Sequence, residues 1–145
     1  MNCWIFDVDG TLSNPSHRKH HLQGKPKRWD LWNSSMAHDT PHDDIIEFTR
    51  IAKLLGIAVV ISTGREEAHR QVTLDWLVAH NASFDRIYMR KTKDYRHDVI
   101  VKKEMLDQMR IDGYTPSLVF DDRNSVVDMW RENNIRCLHV APGDF

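Results

Sequence analysis

Short apolar runs alternate with longer helical patterns along most of this chain, and this alternation restricts the fold more than any other feature. The runs are apolar at nearly every position, which is typical of strands buried on both faces. They lie at 2–7, 57–62, 86–89, 117–121 and 135–140. Strands separated by helices form a parallel sheet with right-handed crossovers. The sequence therefore predicts an α/β fold, with a central parallel sheet of about five strands and helices on both faces.

Helical patterns fill the intervals between these runs. Thr40 suits an N-cap and Pro41 suits the first helical position, so we expect a helix that begins there and ends at Gly56. Further helices are predicted over 66–80, 99–109 and 124–133.

The segment 13–39 shows no strand signal and departs from this alternation. Its basic side chains and neighbouring histidines are Arg18, Lys19, Lys25, Lys27, Arg28, His17, His20 and His21. A short helix is expected near 29–36. We interpret 13–39 as a basic insert on the substrate side of a single domain that spans 1–145, too short to form a large cap domain. The histidines have no cysteine partners and do not indicate zinc.

Length and composition exclude several classes of protein. A chain of 145 residues fits one domain, and a net charge of -1 excludes a uniformly basic nucleic-acid binder. Cys3 and Cys137 are too few for a disulfide framework and are expected to be buried thiols. No apolar run approaches the roughly 20 residues of a membrane helix, so a cytoplasmic, membrane-free protein is expected.

Polar side chains follow four of the predicted strands. Asp7 and Asp9 follow the first, 62–65 the second, 90–91 the third and 121–123 the fourth. Because the carboxyl ends of parallel strands meet at one edge, the acids should crowd together there. Crowded carboxylates require a cation or a shared proton, and Mg²⁺ suits a site that also takes phosphate.

This arrangement favours phosphoryl transfer. Asp7 is placed to attack phosphorus and form an aspartyl phosphate, while Asp9 is placed to protonate the leaving oxygen and later to deprotonate water. The groups expected around the remaining phosphate oxygens are the hydroxyls of Ser62 and Thr63, the guanidinium of Arg65 and the amine of Lys102. Taken singly, the Asp9-Gly10 pair also fits a turn, and Asp121 with Asp122 also fits a helix cap. Taken together, these residues favour a site that binds a metal and a phosphate.

Four motifs in order resemble the haloacid dehalogenase (HAD) superfamily of phosphatases: "DVDGTL", "VVISTGR", "VIVKKE" and "VFDDR". The stretch "DDRNSVVDMWRENNIRCLHVAPGDF" further resembles the end of the 3'-phosphatase domain of T-even bacteriophage polynucleotide kinase-phosphatases. The resemblance implies a Rossmann-like HAD fold and a Mg²⁺-dependent phosphatase. No G-x-x-x-x-G-K-[ST] phosphate loop is present, so kinase activity is not expected.

The resemblance also implies roles for single residues. Asp7 matches the nucleophile and a metal ligand, Asp9 matches the general acid/base, and the main-chain carbonyl of Asp9 matches a second metal ligand. Asp121 and Asp122 match the acids of the fourth motif, and which of them touches the metal stays open.

The remaining matches concern the phosphate and the substrate. Thr63 matches the phosphate-binding hydroxyl, with Ser62 as the fallback, and Arg65 and Lys102 match catalytic cations of the family. The other residues assigned to substrate binding are Arg18, Asp98 and Thr11, with Thr11 also expected to hydrogen-bond locally. Without the resemblance, Arg18 fits a solvent-exposed position in the insert equally well.

The substrate is expected to be a nucleic acid or a nucleotide with a 3'-phosphate. Basic residues at 18–28 and 86–103 would form a positive rim if they flank the site. Trp29, Trp32 and Tyr95 either stack on a base or lie in the core, whereas Trp4, Trp76 and Trp130 are assigned to packing. No feature indicates a required protein partner, and the oligomeric state is open.

Three alternatives remain at this stage. The first is a phosphatase of free nucleotides or other small phosphate esters. The second is a receiver-like signalling module, which also uses an aspartate at a strand end with Mg²⁺ and a lysine but does not need Asp9. The third is an inert nucleic-acid-binding module, which leaves the acidic cluster unexplained.

Overall fold

The computed structural model describes all 145 residues and contains a central parallel sheet of five strands. These strands are β1 Asn2–Phe6, β4 Ala58–Glu66, β5 Arg86–Arg90, β6 Thr115–Asp121 and β7 Cys137–His139, and two further short strands, β2 Ser13–Asn14 and β3 Thr40–Pro41, form a separate ribbon. The strand order of the central sheet is β5-β4-β1-β6-β7. The predicted five-stranded parallel sheet is therefore confirmed.

The chain contains five α-helices, four of which pack on the two faces of this sheet, while the first lies in the insert. They are α1 Trp29–Ser34, α2 Asp43–Leu54, α3 Arg70–Ala79, α4 Asp98–Ile111 and α5 Asn124–Glu132. Side chains of α4 and α5 pack in one apolar cluster with Ile5 and Val60, whereas side chains of α2 and α3 pack in a second cluster with Phe6 and Val59. Neighbouring residues of a strand point to opposite faces. Helices therefore lie on both faces, as the sequence predicts.

The central position of β1 fixes the carboxylate that follows it. β1 pairs with β4 on one side and β6 on the other, and the amide of Asp7 donates to the carbonyl of Phe120 at 3.0 Å. In chain order the five strands are arranged 3-2-1-4-5, whereas receiver modules have the order 2-1-3-4-5. The topology therefore contradicts the receiver-like alternative.

The insert folds differently from its prediction in two places. Ser13 and Asn14 pair antiparallel with Pro41 and Thr40, so 13–39 does begin with a short strand. Because Thr40 and Pro41 are extended in this ribbon, they are not the start of the helix, which begins at Asp43. The predicted short helix near 29–36 is present as α1, Trp29–Ser34. Two 3₁₀ segments, Ser16–Leu22 and Met36–His38, lie on either side of it.

Both cysteines are buried, as predicted. Burial raises the pKa of the Cys3 thiol to about 11 and that of Cys137 to about 12, so both are protonated at neutral pH. None of the helices combines the length and the hydrophobicity needed to cross a bilayer.

Candidate active site

Three carboxylates and one ammonium meet at the carboxyl edge of the sheet. Carboxylate oxygens of Asp7, Asp121 and Asp122 lie within 4.8 Å of one another. The Nζ atom of Lys102, on α4, lies 2.9 Å from Oδ1 of Asp7 and 3.0 Å from Oδ2 of Asp121. All four residues are buried. The fold thus brings together the residues of the first, third and fourth motifs.

The charges of this cluster do not balance. Three carboxylates face one ammonium, which leaves two negative charges within the buried group if all of them are ionised. Buried charges of one sign are costly without a counter-ion. Carboxylate oxygens are the ligands that Mg²⁺ prefers, and Asp7, Asp121 and Asp122 supply them from two neighbouring strand ends. The donor set therefore fits a divalent cation in both charge and chemistry.

The same imbalance appears in the pKa values of the cluster. Burial raises the pKa of Asp7 well above its usual range; Lys102 opposes this shift, while Asp121 and Asp122 add to it. Burial alone would lower the pKa of Lys102, but Asp121 and Asp7 outweigh it and raise that pKa well above its usual range. The charged form of Lys102 is therefore favoured, and further positive charge near Asp7 would favour its ionised form.

The turn after Asp7 brings two motifs into contact. Gly10 has a φ of +87°, and a Cβ at this position would lie 2.1 Å from Oδ2 of Asp122. Only glycine combines this backbone conformation with so close an approach. The hydroxyl of Thr11 lies 3.3 Å from Oδ2 of Asp7 and 3.5 Å from Oδ1 of Asp122. Thr11 is fully buried against these acids, which matches its predicted local hydrogen bonding.

The carboxylate of Asp9 is not part of the acid cluster and contacts two arginines. Arg65 donates from Nε to Oδ2 at 3.0 Å and from Nη2 to Oδ1 at 2.8 Å, and Nη2 of Arg18 also donates to Oδ1. Burial acts to raise the pKa of Asp9, but Arg65 and Arg18 outweigh it and hold that pKa well below the usual range. The side chain of Asp9 is therefore not one of the clustered metal-ligand candidates.

Arg18 and Arg65 are themselves held by Asp39, a residue for which the sequence predicts no role. Asp39 accepts from Nε and Nη2 of Arg18 at 2.8 and 2.7 Å and from Nη2 of Arg65 at 3.3 Å. Arg18 is fully buried, so its alternative interpretation as a solvent-exposed residue of the insert is wrong. Arg18 and Asp39 are separated by 21 residues, and no local sequence pattern links them.

The two hydroxyls of the second motif have different surroundings. Oγ1 of Thr63 accepts from the amide of Arg65 at 3.1 Å, within the last residues of β4, where the pairing with β5 shifts register between Thr63 and Glu66. The hydroxyl of Ser62 instead donates to the sulfur of Met105 at 3.3 Å, on the core side of the sheet. Of the two, Thr63 hydrogen-bonds beside Arg65 and Ser62 faces the core, so the geometry gives the fallback assignment of Ser62 no support.

Asp98 lies beside the acid cluster but pairs mainly with Arg90, which the sequence places at the end of the third strand and in the positive rim but gives no role of its own. Nη2 of Arg90 lies 2.9 Å from Oδ1 of Asp98, and Nε of Arg90 donates to the carbonyl of Gly64 at 2.9 Å. Lys102 lies 4.0 Å from Asp98, one helical turn away as predicted. Arg90 thereby joins the second and third motifs.

Trp130 packs in the core, as predicted, and also contacts the acid cluster. It is fully buried, and its Nε1 donates to Oδ2 of Asp121 at 3.1 Å. The same oxygen accepts from Lys102, so Trp130 fixes the orientation of one acid of the cluster. The apolar pattern of α5 explains the burial of Trp130 but contains no signal for this hydrogen bond.

The predicted positive rim is only partly present. Seven of its twelve cations form ion pairs. Arg18, Arg90 and Lys102 pair within the site as described above. The other four pair with nearby acids: Arg28 with Asp30, Arg86 with Asp112, Arg96 with Asp94 and Glu104, and Lys103 with Asp107. Arg86 also begins β5 and so lies at the opposite edge of the sheet from the site. The rim cations that form no ion pair and are exposed are Lys19, Lys25, Lys27, Lys91 and Lys93.

A family model described as the polynucleotide kinase PNKP phosphatase domain matches residues 1–145. This chain belongs to that family. It is a HAD phosphatase, as the four motifs predict. A curated relative from Autographa californica nuclear polyhedrosis virus is 26% identical over an alignment of 136 positions, which covers 90% of this chain and 18% of the relative. That viral protein is described as a bifunctional polynucleotide kinase/RNA ligase.

Solved structures agree with this assignment. Two chains from structures of the Pnkp1/Rnl/Hen1 complex, one of them described as an RNA repair complex, have TM-scores of 0.86 and 0.87 and identities of 35% and 34%. The alignments cover 99% of this chain but 47% and 43% of theirs, so it spans less than half the length of these relatives. The class C acid phosphatase of Bacillus anthracis shares the fold, with a TM-score of 0.68 and 15% identity over 97% of this chain and 68% of its own.

Proposed function

We propose that this chain is a Mg²⁺-dependent phosphomonoesterase that acts through an aspartyl phosphate on Asp7, and that its substrates are 3'-phosphorylated polynucleotide or nucleotide ends. The observation that carries the proposal is the buried contact of Lys102 with both Asp7 and Asp121, at 2.9 and 3.0 Å. A lysine between the nucleophile and an acid of the fourth motif is placed to neutralise a phosphoryl group in transfer.

In the proposed reaction, one carboxylate oxygen of Asp7 bonds to phosphorus as the bond from phosphorus to the leaving alcohol oxygen breaks. Lys102 and Arg65 offset the negative charge of the transferring group. Water then attacks the phosphorus of the aspartyl phosphate, the bond to Asp7 breaks, and inorganic phosphate and the free carboxylate result. Mg²⁺, held by Asp7, by the fourth-motif acids Asp121 and Asp122 and by the main-chain carbonyl of Asp9, would supply further charge neutralisation when bound.

Asp9 is the proton carrier in this scheme. With Arg65 and Arg18 on its carboxylate, Asp9 is ionised and is ready to accept a proton from the attacking water. To protonate the leaving alcohol in the first step, it must take up a proton beforehand. Phosphate oxygens that recruit Arg65 would withdraw hydrogen bonds from Asp9 and favour this uptake. Substrate binding and the protonation of Asp9 are thus linked through one arginine.

The preference for polynucleotide 3' ends is supported by the family match and by relatives whose names refer to polynucleotide kinase, RNA ligase and RNA repair. Five unpaired lysines, three of them in the insert, add positive charge suited to a nucleic-acid backbone.

The proposal is tested by measuring phosphate release from four substrates: 3'- and 5'-phosphorylated oligonucleotides and the corresponding mononucleotides, with and without Mg²⁺. We expect hydrolysis only with the metal and the highest kcat/KM on the 3'-phosphorylated oligonucleotide. The Asp7→Asn variant is the matched control for contaminating phosphatases. Equal kcat/KM on all four substrates would instead indicate a phosphatase of small esters.

A further inference from the structure

A cleft of about 690 Å³ opens beside Asp9 and Arg65. One part of its wall is helix α1 of the insert, which contributes Trp29 and Trp32, and another part is the loop between β5 and α4, which contributes Tyr95. This cleft therefore adjoins the catalytic residues and is built by the insert and by a loop outside the sheet.

The aromatic side chains of the cleft are not core residues, contrary to the alternative that the sequence left open. Trp29 is 54% exposed and Tyr95 is 82% exposed, although aromatic rings usually contribute large buried areas. Lys27 places its Nζ 5.8 Å from the centre of the Trp29 ring, and the Arg18 guanidinium lies 4.1 Å from the centre of Trp32. Exposed aromatic faces next to cations are the combination that stacks bases and follows a phosphate backbone.

The position of the cleft determines which part of a substrate reaches it. Asp7 lies in the acid cluster, whereas Asp9 and Arg65 line the cleft. Because Asp9 is the proton donor of the proposed reaction, the leaving alcohol oxygen must lie beside Asp9 when the phosphate lies at Asp7. The organic part of the ester then extends from Asp9 into the cleft.

We propose that this cleft binds the base of the terminal nucleotide by stacking on Trp29 and Tyr95, and so recognises the nucleoside that becomes the leaving alcohol. The proposal rests on the proposed function, because it takes the orientation of the ester from the role of Asp9. A volume of about 690 Å³ falls in the range of about 300–1,000 Å³ that is usual for small-molecule sites, and suits one nucleoside.

The first test compares two 3'-phosphorylated oligonucleotides that differ only in whether the last residue carries a base. Stacking contributes about 1–3 kcal/mol per base, so Trp29→Ala and Tyr95→Ala should each lower kcat/KM for the base-bearing end by about 5- to 150-fold. The same variants should change kcat/KM for the abasic end less than about threefold. Trp29→Phe keeps an aromatic face and should recover most of the loss. Leu54→Ala, an exposed substitution at the far end of α2, is the matched control.

The second test measures binding without turnover. In the inactive Asp7→Asn background, a nucleoside 3'-monophosphate should bind more tightly than inorganic phosphate, and Trp29→Ala with Tyr95→Ala should remove the difference. Equal losses on base-bearing and abasic ends, with unchanged nucleotide affinity, would overturn the base site and point to a protein-contact surface. If the wild-type chain hydrolyses no phosphate ester, the proposed function fails, and the binding comparison still decides whether a base is bound.

Discussion

The carboxylate of Asp39 forms a two-point pair with the guanidinium of Arg18, with Nε and Nη2 donating at 2.8 and 2.7 Å. Both side chains are fully removed from solvent. Two-point arginine–carboxylate pairs fix the plane of the guanidinium as well as its position. Since Arg18 and Arg65 both contact Asp9, Asp39 sets the orientation of the two guanidinium groups beside Asp9, the residue proposed as the proton carrier.

We therefore predict that Asp39→Asn lowers kcat strongly while leaving the acid cluster intact. The substitution keeps the shape of the side chain but removes the charge that holds two buried arginines. Loss of comparable supporting residues around metal sites typically lowers activity about 10- to 100-fold. Asp30→Asn is the control, because Asp30 pairs with Arg28 on the exposed surface of the same insert. Equal effects of the two variants on kcat would contradict this role.

The charge imbalance of the acid cluster leads to a prediction about stability. Asp7→Asn removes one of three crowded carboxylates, so the metal-free variant should unfold at a higher temperature than the metal-free wild type. Mg²⁺ should raise the melting temperature of the wild type more than that of the variant, since ligand binding stabilises the state that binds it. Thermal unfolding with and without Mg²⁺ measures both effects. Identical Mg²⁺ shifts in the two proteins would argue against Asp7 as a ligand.

The acid cluster was predictable because it depends on topology alone. Residues that follow parallel strands must share one edge of the sheet, so Asp7, Asp121 and Asp122 converge whatever the details of packing. Lys102 joins them because α4 presents it one turn after Asp98. These inferences need only the order of strands and helices, which the apolar patterns indicate.

The surroundings of Asp9 were less predictable, because they depend on the path of the insert. A charged residue in a polar loop is usually exposed, yet Arg18 is buried by its pairing with Asp39 across 21 residues. The prediction of a helix start at Thr40 and Pro41 was wrong for a related reason. Their local preference for a helix start is overridden by strand pairing with Ser13 and Asn14. In both cases an interaction between residues distant in sequence decides the local structure.

Lys102 and its neighbour Lys103 offer a comparison within one helix. Lys102 is buried between two carboxylates, whereas Lys103 pairs with Asp107 at the surface. Removal of one partner of a buried ion pair typically costs about 3–5 kcal/mol, so Lys102→Ala should lower the free energy of unfolding by that order and abolish turnover. Lys103→Ala should change the free energy of unfolding by less than about 0.5 kcal/mol. Urea unfolding and phosphate release measure the two quantities, and similar losses in both variants would contradict the assignment.

A comparison of Gly10 with Gly56 distinguishes the cost of a strained backbone from the cost of a close contact. Both have positive φ, at +87° and +72°, but a Cβ on Gly56 would meet open space whereas a Cβ on Gly10 would meet Asp122. Gly56→Ala should therefore lower the free energy of unfolding by about 1–3 kcal/mol, the cost of the backbone strain alone, and should leave kcat/KM unchanged. Gly10→Ala should lower the free energy of unfolding by more than this. It should also weaken Mg²⁺ binding, because Asp122 must move to make room for the new Cβ. A Gly10→Ala protein with wild-type Mg²⁺ affinity would show that Asp122 is not held in place by this turn.

The unpaired lysines of the insert provide a test of nucleic-acid binding that leaves the catalytic residues untouched. Arg18 is unsuitable for it because Arg18 is buried at Asp9, and Arg28 is already paired with Asp30. Replacing Lys25 and Lys27 with alanine should raise KM for 3'-phosphorylated oligonucleotides more than for p-nitrophenyl phosphate. The slope of log affinity against log salt should also become shallower by about 0.7 for each phosphate that the double variant no longer neutralises. Lys53→Ala, an exposed substitution in the last turn of α2, is the control. An unchanged salt slope in the double variant would exclude Lys25 and Lys27 as ligands of the nucleic-acid backbone.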